Sequence, residues 1–175
     1  QAVLATLERV ARRYGDELPR DVFAGIHESL ARRATMAREK AVLHGVPEAA
    51  AVLVRRVRDG VSRWELHETG FRAIAGGLEQ TIRRSRRAMA KAAVSGRSDD
   101  YHAWRQRVKD HWLQIRLLQR RCADRLDADE RRLEELDGFL GECHNCAILR
   151  DALQSDSTLP RADAARCLRL VRHYE

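Results

Sequence analysis

The sequence predicts an all-α protein, an antiparallel bundle of long helices. Apolar residues recur at intervals of three and four, and the strand-like period of two is not sustained anywhere. Aromatic residues make up 5% of the 175 residues, which disfavours a β-sandwich. Only 3 prolines and 10 glycines interrupt the pattern, and 44% of the residues are apolar, so disordered and collagen-like classes are excluded.

Eight helices are predicted in order, joined by short turns. Ser98, followed by two aspartates, is a favourable helix start because a hydroxyl caps free N–H groups and carboxylates stabilise the positive end of the helix dipole. Asp127 and Glu130 resemble a capping box. The predicted helices cover residues 2–14, 20–43, 47–66, 71–94, 99–123, 127–141, 146–153 and 160 onwards. Helices joined by short turns pack as antiparallel neighbours, so we expect a single helical domain over 1–175.

The positive charge of the chain is concentrated in two consecutive helices. The formal net charge is +7, but the segment from Arg83 to Arg121 alone holds twelve basic and three acidic residues. The rest of the chain is therefore slightly acidic, and the excess of cations belongs to the predicted fourth and fifth helices.

One face of the predicted fifth helix collects its cations. At about 100° per residue, an arc of about 60° holds His102, Arg105, Lys109, Arg116 and Arg120. Val108 and Ile115 lie on a separate apolar face that suits the core. Trp112 falls between the two faces, where it is expected to wall a groove or join the core.

The predicted fourth helix carries a second basic stripe that includes Arg83, Arg84 and Arg87. Like charges four residues apart destabilise a helix by about 0.2–0.5 kcal/mol per pair, and we expect nothing acidic on this face to offset them. In an antiparallel hairpin the two stripes would border one groove, which suits a polyanion because arginine and lysine bind phosphate oxygens. A solvated helix face is the alternative interpretation.

Three segments of the sequence, taken together, carry a family resemblance. They are the helix His102-Ala-Trp-Arg105-Gln-Arg-Val-Lys109, the stretch from Trp64 to Leu78 followed by Arg83-Arg-Ser-Arg86-Arg87, and the segment Leu140-Gly141-Glu-Cys-His-Asn145. They resemble the signature helix, the preceding helix and a Leu-Gly-x-x-x-Asp/Asn turn of the CHAD family, the histidine-containing α-helical domain.

The resemblance implies an all-helical, non-catalytic domain that binds inorganic polyphosphate through basic residues in a central groove. It carries over His102, Arg105 and Lys109 as polyphosphate contacts, followed by Arg83, Arg84, Arg87 and Arg116. It also implies polyphosphate granules or a triphosphate-processing domain as partners, and no cofactor. The family has two halves, each with a histidine-bearing basic helix. Only one such helix is found here, so the resemblance assigns 64–175 to the second half, the C-terminal portion, and 1–63 to connecting helices.

A histidine inside a cationic stripe has a consequence for pH dependence. Neighbouring cations disfavour the protonated form of His102, and a bound polyanion favours it. We therefore expect binding to tighten as the pH falls from about 8 to about 6, and to lose this dependence in His102→Ala.

The remaining sequence signals indicate no metal site and no membrane span, and they leave two alternative functions open. Cys143 and Cys146 have the spacing of half a zinc site, but no second pair follows, and we expect no metal. The helical character fits a cytoplasmic protein with reduced thiols, and no run of about 18 apolar residues would span a membrane. A nucleic-acid-binding helical protein and a docking module for an acidic partner protein remain alternatives, because charge alone does not separate them from polyphosphate binding.

Overall fold

The computed structural model describes residues 2–61, 63–65, 68–119 and 123–174, with the backbone alone at 123–125. Within these ranges the chain forms helices and no strand, which confirms the all-α prediction. The helices are α1 (Ala2–Arg13), α2 (Arg20–Leu43), α3 (Val46–Val61), α4 (Arg72–Ser95), α5 (Ser98–Gln119), α6 (Ala123–Ser155) and α7 (Arg161–Tyr174). None of the described helices is both long enough and apolar enough to cross a membrane.

One long helix replaces two predicted ones. The sequence predicted helices over 127–141 and 146–153 with a turn between them, but α6 runs unbroken through both. Asp127 and Glu130 therefore lie inside the helix and do not cap it. The turn prediction was wrong because a glycine is tolerated in a helix at a cost of about 1 kcal/mol relative to alanine. Burial of Leu140 and Cys146 holds this segment in place.

Two other helix ends differ from the prediction. The third helix ends at Val61 instead of residue 66, before Arg63 and Trp64, which lie in a turn. The fifth helix is described as far as Gln119. Arg120 and Cys122, which the sequence analysis singled out, lie outside the described residues.

The chain divides into two compact units, and the first contains α1–α3, α7 and the end of α6 from Leu149 onward. Its core is formed by aliphatic side chains that are almost fully buried, namely Leu7, Val10, Ile26, Leu149, Leu153, Leu170 and Val171. Burial of such side chains contributes about 1.5–3 kcal/mol each. By contrast, α3 buries no residue, and its Leu53 is 62% exposed.

A buried carboxylate joins α2 to the connection between α6 and α7. Ser29 Oγ donates a hydrogen bond of 2.6 Å to Asp156 Oδ2, and the Thr158 hydroxyl and backbone N–H donate to Asp156 Oδ1 at 2.6 and 2.9 Å. Arg33 Nη1 lies 3.5 Å from the same carboxylate. These contacts lower the pKa of Asp156 to about 2, with the Ser29 hydrogen bond as the largest cause.

The second unit, Glu68–Ile148, contains α4, α5 and most of α6. Its buried apolar side chains are Ala92 on α4, Val108 and Ile115 on α5, and Leu140, Cys146 and Ala147 on α6. Alanine at the buried position of α4 leaves room for a close approach of α5. All the residues predicted to bind polyphosphate belong to this unit.

Candidate functional site

The two basic helices form an antiparallel hairpin. α4 ends at Gly96, whose φ of +62° is the left-handed conformation that glycine adopts without strain. Near this turn Lys91 Nζ lies 2.7 Å from Asp100 Oδ1, and farther along the hairpin Gln114 Nε2 donates to Thr81 Oγ1 at 3.1 Å. Hydrogen bonds from Lys91 and then Ser95 lower the pKa of Asp100.

The arginines of α4 lie on the outer side of the helix at different angles from the buried Ala92, about 180° for Arg83, about 140° for Arg87 and about 80° for Arg84. Ala92, which is buried, follows Arg83 by nine residues, or about 180° around the helix. A surface depression of about 510 Å³ covers this outer side, and residues of α4 alone line it: Gly76, Gly77, Glu79, Gln80, Arg83, Arg84 and Arg87. The expectation that the two basic stripes border one groove between α4 and α5 stays a prediction, because Arg83 lies opposite the buried side of α4 whereas Arg84 lies on its flank.

The cations of α4 are unequally neutralised. Arg83 Nη2 forms an ion pair of 2.9 Å with Glu79 Oε1, which corrects the expectation that nothing acidic offsets this face. Arg84 and Arg87 are exposed, and no described carboxylate forms a salt bridge with either of them. A carboxylate in the depression therefore neutralises one of its three guanidinium groups.

The stripe of α5 faces α6. Arg105 Nε lies 3.3 Å from Asp137 Oδ1 and donates a long hydrogen bond of 3.5 Å to the Asp137 carbonyl oxygen. Arg116 Nε lies 3.6 Å from Glu130 Oε1, and its guanidinium carbon stands 4.9 Å from the centre of the Trp112 ring. Trp112 thus supports a cation of the stripe. Its indole nitrogen is buried without a described hydrogen-bond partner.

Gly141 permits the close approach of Arg105 to α6. A β-carbon at this position would stand 3.3 Å from both Nε and Nη2 of Arg105. The side chain of Arg105 is 27% exposed and that of Asp137 is 16% exposed. The guanidinium group thus lies on the α6 backbone, half-buried beside its carboxylate.

Lys109 has different surroundings from the arginines of its stripe. It is exposed, and no described carboxylate forms a salt bridge with it. The structure therefore divides the α5 stripe, because Arg105 and Arg116 are held by acids of α6 and Lys109 stays available to a ligand.

His102 stacks on a histidine that the sequence analysis did not single out. The ring centroids of His102 and His144 are 4.2 Å apart and the ring planes are inclined by 27°. Burial, followed by the proximity of His102 and of Arg105, lowers the pKa of His144. The Nε2 atom of His102 lies 3.0 Å from Gln106 Nε2, and its buried Nδ1 has no hydrogen-bond partner among the described residues.

A repeat of seven residues could have revealed the α6 partners. His102, Lys109 and Arg116 recur every seven positions on α5, and Glu130, Asp137 and His144 recur every seven positions on α6. Seven residues are about two helical turns, so each set lies on one face of its helix. An antiparallel pairing of the two sets brings His102 to His144 and Arg116 to Glu130, as the structure shows.

The cysteine pair of α6 places its two thiols in different surroundings. Cys146 is 1% exposed and Cys143 is exposed. In the part of the chain that the structure describes, no group of three or more His, Cys, Asp and Glu side chains could hold a metal ion.

Comparison with known proteins supplies one match. The family model described as the CHAD domain matches residues 1–154. The match extends from α1 to the end region of α6, and it therefore includes the first 63 residues, which the resemblance assigned to connecting helices. No curated protein and no solved structure matches the chain.

Proposed function

The chain belongs to the CHAD domain family, and from this membership and the charge distribution of the second unit we propose that it binds inorganic polyphosphate without altering it chemically. The observation that carries the proposal is the set of exposed cations Arg84, Arg87 and Lys109, which no described carboxylate neutralises. Polyphosphate is a linear chain with about one negative charge per unit, and such a chain is attracted by clustered cations without any sequence to read.

The outer side of α4 offers a surface on which a phosphate chain fits. Gly76 and Gly77 have no side chain, and a β-carbon at either would meet nothing within 4 Å. The backbone of the helix is therefore open to an approaching ligand at these two positions. Arg83, Arg84 and Arg87 line the same depression. Arginine donates fork-shaped pairs of hydrogen bonds to phosphate oxygens, and a bound phosphate chain relieves the repulsion between Arg83 and Arg87.

The α5 stripe contributes in two ways under this proposal. Lys109 is available for direct contact with phosphate. Arg105 and Arg116 hold α5 against α6 through Asp137 and Glu130, so they position the helix that carries Lys109. Direct contact of Arg105, Arg116 or His102 with phosphate stays a prediction, and for the two arginines it requires exchange of a carboxylate for a phosphate.

We also propose that the chain does not cleave its ligand. The acids beside the α5 stripe, Glu130 and Asp137, are engaged with arginines instead of being grouped as ligands for Mg²⁺. Incubation of the protein with polyphosphate and Mg²⁺ should release no orthophosphate above the rate of a blank. Release that depends on the protein and disappears in a variant of this surface would contradict the proposal.

A binding experiment with a matched control tests the site. Fluorescence anisotropy of end-labelled long-chain polyphosphate is measured with the wild type and with the double variant Arg84→Gln/Arg87→Gln. We expect this variant to bind about tenfold more weakly or worse, because two charge-assisted contacts are removed. The control is Arg55→Gln/Arg56→Gln, which removes the same charge from exposed positions of α3 in the other unit, and it should bind as the wild type does.

Competition separates polyphosphate from the alternative ligands. Unlabelled polyphosphate should displace the labelled chain at a lower concentration of phosphate units than duplex DNA, single-stranded RNA or polyglutamate. Displacement by DNA or RNA at the lower concentration would favour a nucleic-acid-binding protein. Displacement by polyglutamate at the lower concentration would favour docking of an acidic protein.

A further inference from the structure

The stacked histidines His102 and His144 form a titratable pair between α5 and α6. Their rings are half-buried and face each other with centroids 4.2 Å apart. At that distance the charge on one ring acts strongly on the other, because the partly buried setting screens less than water does. A positive charge on either ring therefore opposes a positive charge on the other.

The surroundings of the pair oppose a positive charge on His144 in the free protein. Arg105 lies beside it on α5, and the nearby carboxylate of α6, Asp137, is already paired with that arginine. At the end of the hairpin, Lys91 of α4 is in turn paired with Asp100 of α5. Asp137 and Asp100 are thus paired with other cations, and burial, followed by the proximity of His102 and of Arg105, opposes a positive charge on His144 by lowering its pKa.

A stacked pair accommodates one proton far more readily than two. A protonated imidazole is attracted to the face of a neutral aromatic ring, whereas two imidazolium rings in contact repel each other. A polyanion bound at Lys109, which is exposed about 10 Å along the same face of α5 from His102, supplies negative charge that stabilises the first proton. The second proton still meets the repulsion between the two rings.

We propose that the His102–His144 pair takes up a single shared proton when polyphosphate binds. This inference rests on the proposed function and adds its regulation. One linked proton makes the affinity rise by up to about tenfold for each unit by which the pH falls. Once the pair holds its proton, the affinity stops rising and reaches a plateau at lower pH. In a plot of log affinity against pH, the magnitude of the slope therefore stays at or below about one and does not reach two.

Calorimetry measures the linked protons directly. Binding of polyphosphate near pH 7 is titrated in several non-phosphate buffers of different ionisation enthalpy, and the slope of the observed enthalpy gives the number of protons taken up. We expect up to about one proton for the wild type, a similar number for His102→Asn and for His144→Asn, and none for the double variant. The pH dependence that the sequence analysis assigned to His102 alone is therefore expected to persist in each single variant and to be lost only in the double variant. The control His44→Asn, at an exposed position beyond the end of α2, should match the wild type.

Other patterns of uptake overturn the inference. If the wild type takes up nearly twice as many protons as each single variant, the histidines act independently. If His102→Asn abolishes the uptake while His144→Asn leaves it unchanged, His144 has no part in it. NMR titration of the imidazole signals in the free wild type provides a readout without variants, and two histidines that titrate together in one step would contradict coupling.

The experiment distinguishes this inference from the proposed function. Polyphosphate binding with no proton uptake overturns the shared-proton inference and leaves the function intact. Failure of the wild type to bind polyphosphate at any pH from 6 to 8 overturns the function and the linkage together.

Discussion

Arg105 and Asp137 form a half-buried ion pair, with the guanidinium Nε 3.3 Å from the carboxylate oxygen. The Arg105 N–H points at the Asp137 carbonyl, so Oδ1 is within ion-pair distance but lacks a hydrogen bond. Because of this pair, the basic stripe on α5 does not consist only of cations that are free to bind a ligand. A cation that the sequence marks as a ligand contact also holds two helices together.

Arg105→Gln should lower mainly the stability of the protein, whereas Lys109→Gln should lower mainly its affinity for polyphosphate. Loss of Arg105 leaves the Asp137 carboxylate without its cation, and we expect the free energy of unfolding to fall by about 1–3 kcal/mol. Lys109 is exposed, so its replacement should change stability by less than about 0.5 kcal/mol while weakening polyphosphate binding. Urea denaturation followed by circular dichroism, beside a binding titration, checks both. Equal losses of stability in the two variants would contradict the division of the stripe.

Two glycines of α6 offer a matched test of the close approach at Gly141. Gly138→Ala places a β-carbon where nothing lies within 4 Å, and it should stabilise the helix by up to about 1 kcal/mol. Gly141→Ala places a β-carbon 3.3 Å from the Arg105 guanidinium and should gain clearly less or destabilise. Thermal unfolding of the two variants measures the difference. A gain at Gly141 as large as that at Gly138 would show that Arg105 does not need this space.

Asp156 should make the first unit sensitive to acid. Its folded pKa of about 2 lies below the ordinary value of 3.8, so the stability it contributes is present above about pH 4 and is lost as the pH falls toward 2. Asp156→Asn should cost about 1–3 kcal/mol at pH 7, and its stability should converge with that of the wild type in acid. Denaturation at several pH values tests this. Asp151→Asn, at an exposed site on α6, is the control and should behave as the wild type.

Binding should weaken steeply with salt, because attraction of a polyanion to exposed cations releases counterions. The slope of log affinity against log salt concentration should be shallower by about two in Arg84→Gln/Arg87→Gln, about one for each contact removed. Anisotropy titrations at four or more salt concentrations measure the slope. An unchanged slope in this variant would place the bound phosphates elsewhere on the chain.

The sequence was sufficient for the helices but not for every helix end. The apolar period and the glycines at turns predicted both ends of α1, α2 and α4 and the starts of α3, α5 and α7 to within one residue, because local spacing and capping act over a few positions. α6 was predicted as two helices, since a glycine beside polar residues is typical of a turn. Burial of Leu140 and Cys146, which overrides that local preference, depends on neighbours distant in the sequence.

For the candidate site, the amino-acid sequence alone determined that the cations collect on α4 and α5 and that His102, Arg105 and Lys109 share one face. Those facts follow from residue identity and the helical period. Only the tertiary structure decided which neighbour each cation meets: Asp137 for Arg105, Glu130 for Arg116, the ring of His144 for His102, and solvent for Lys109. The physical reason is that the helical period determines the direction in which each side chain leaves the helix axis. Which helix lies in that direction depends on tertiary packing, which involves residues distant in the sequence.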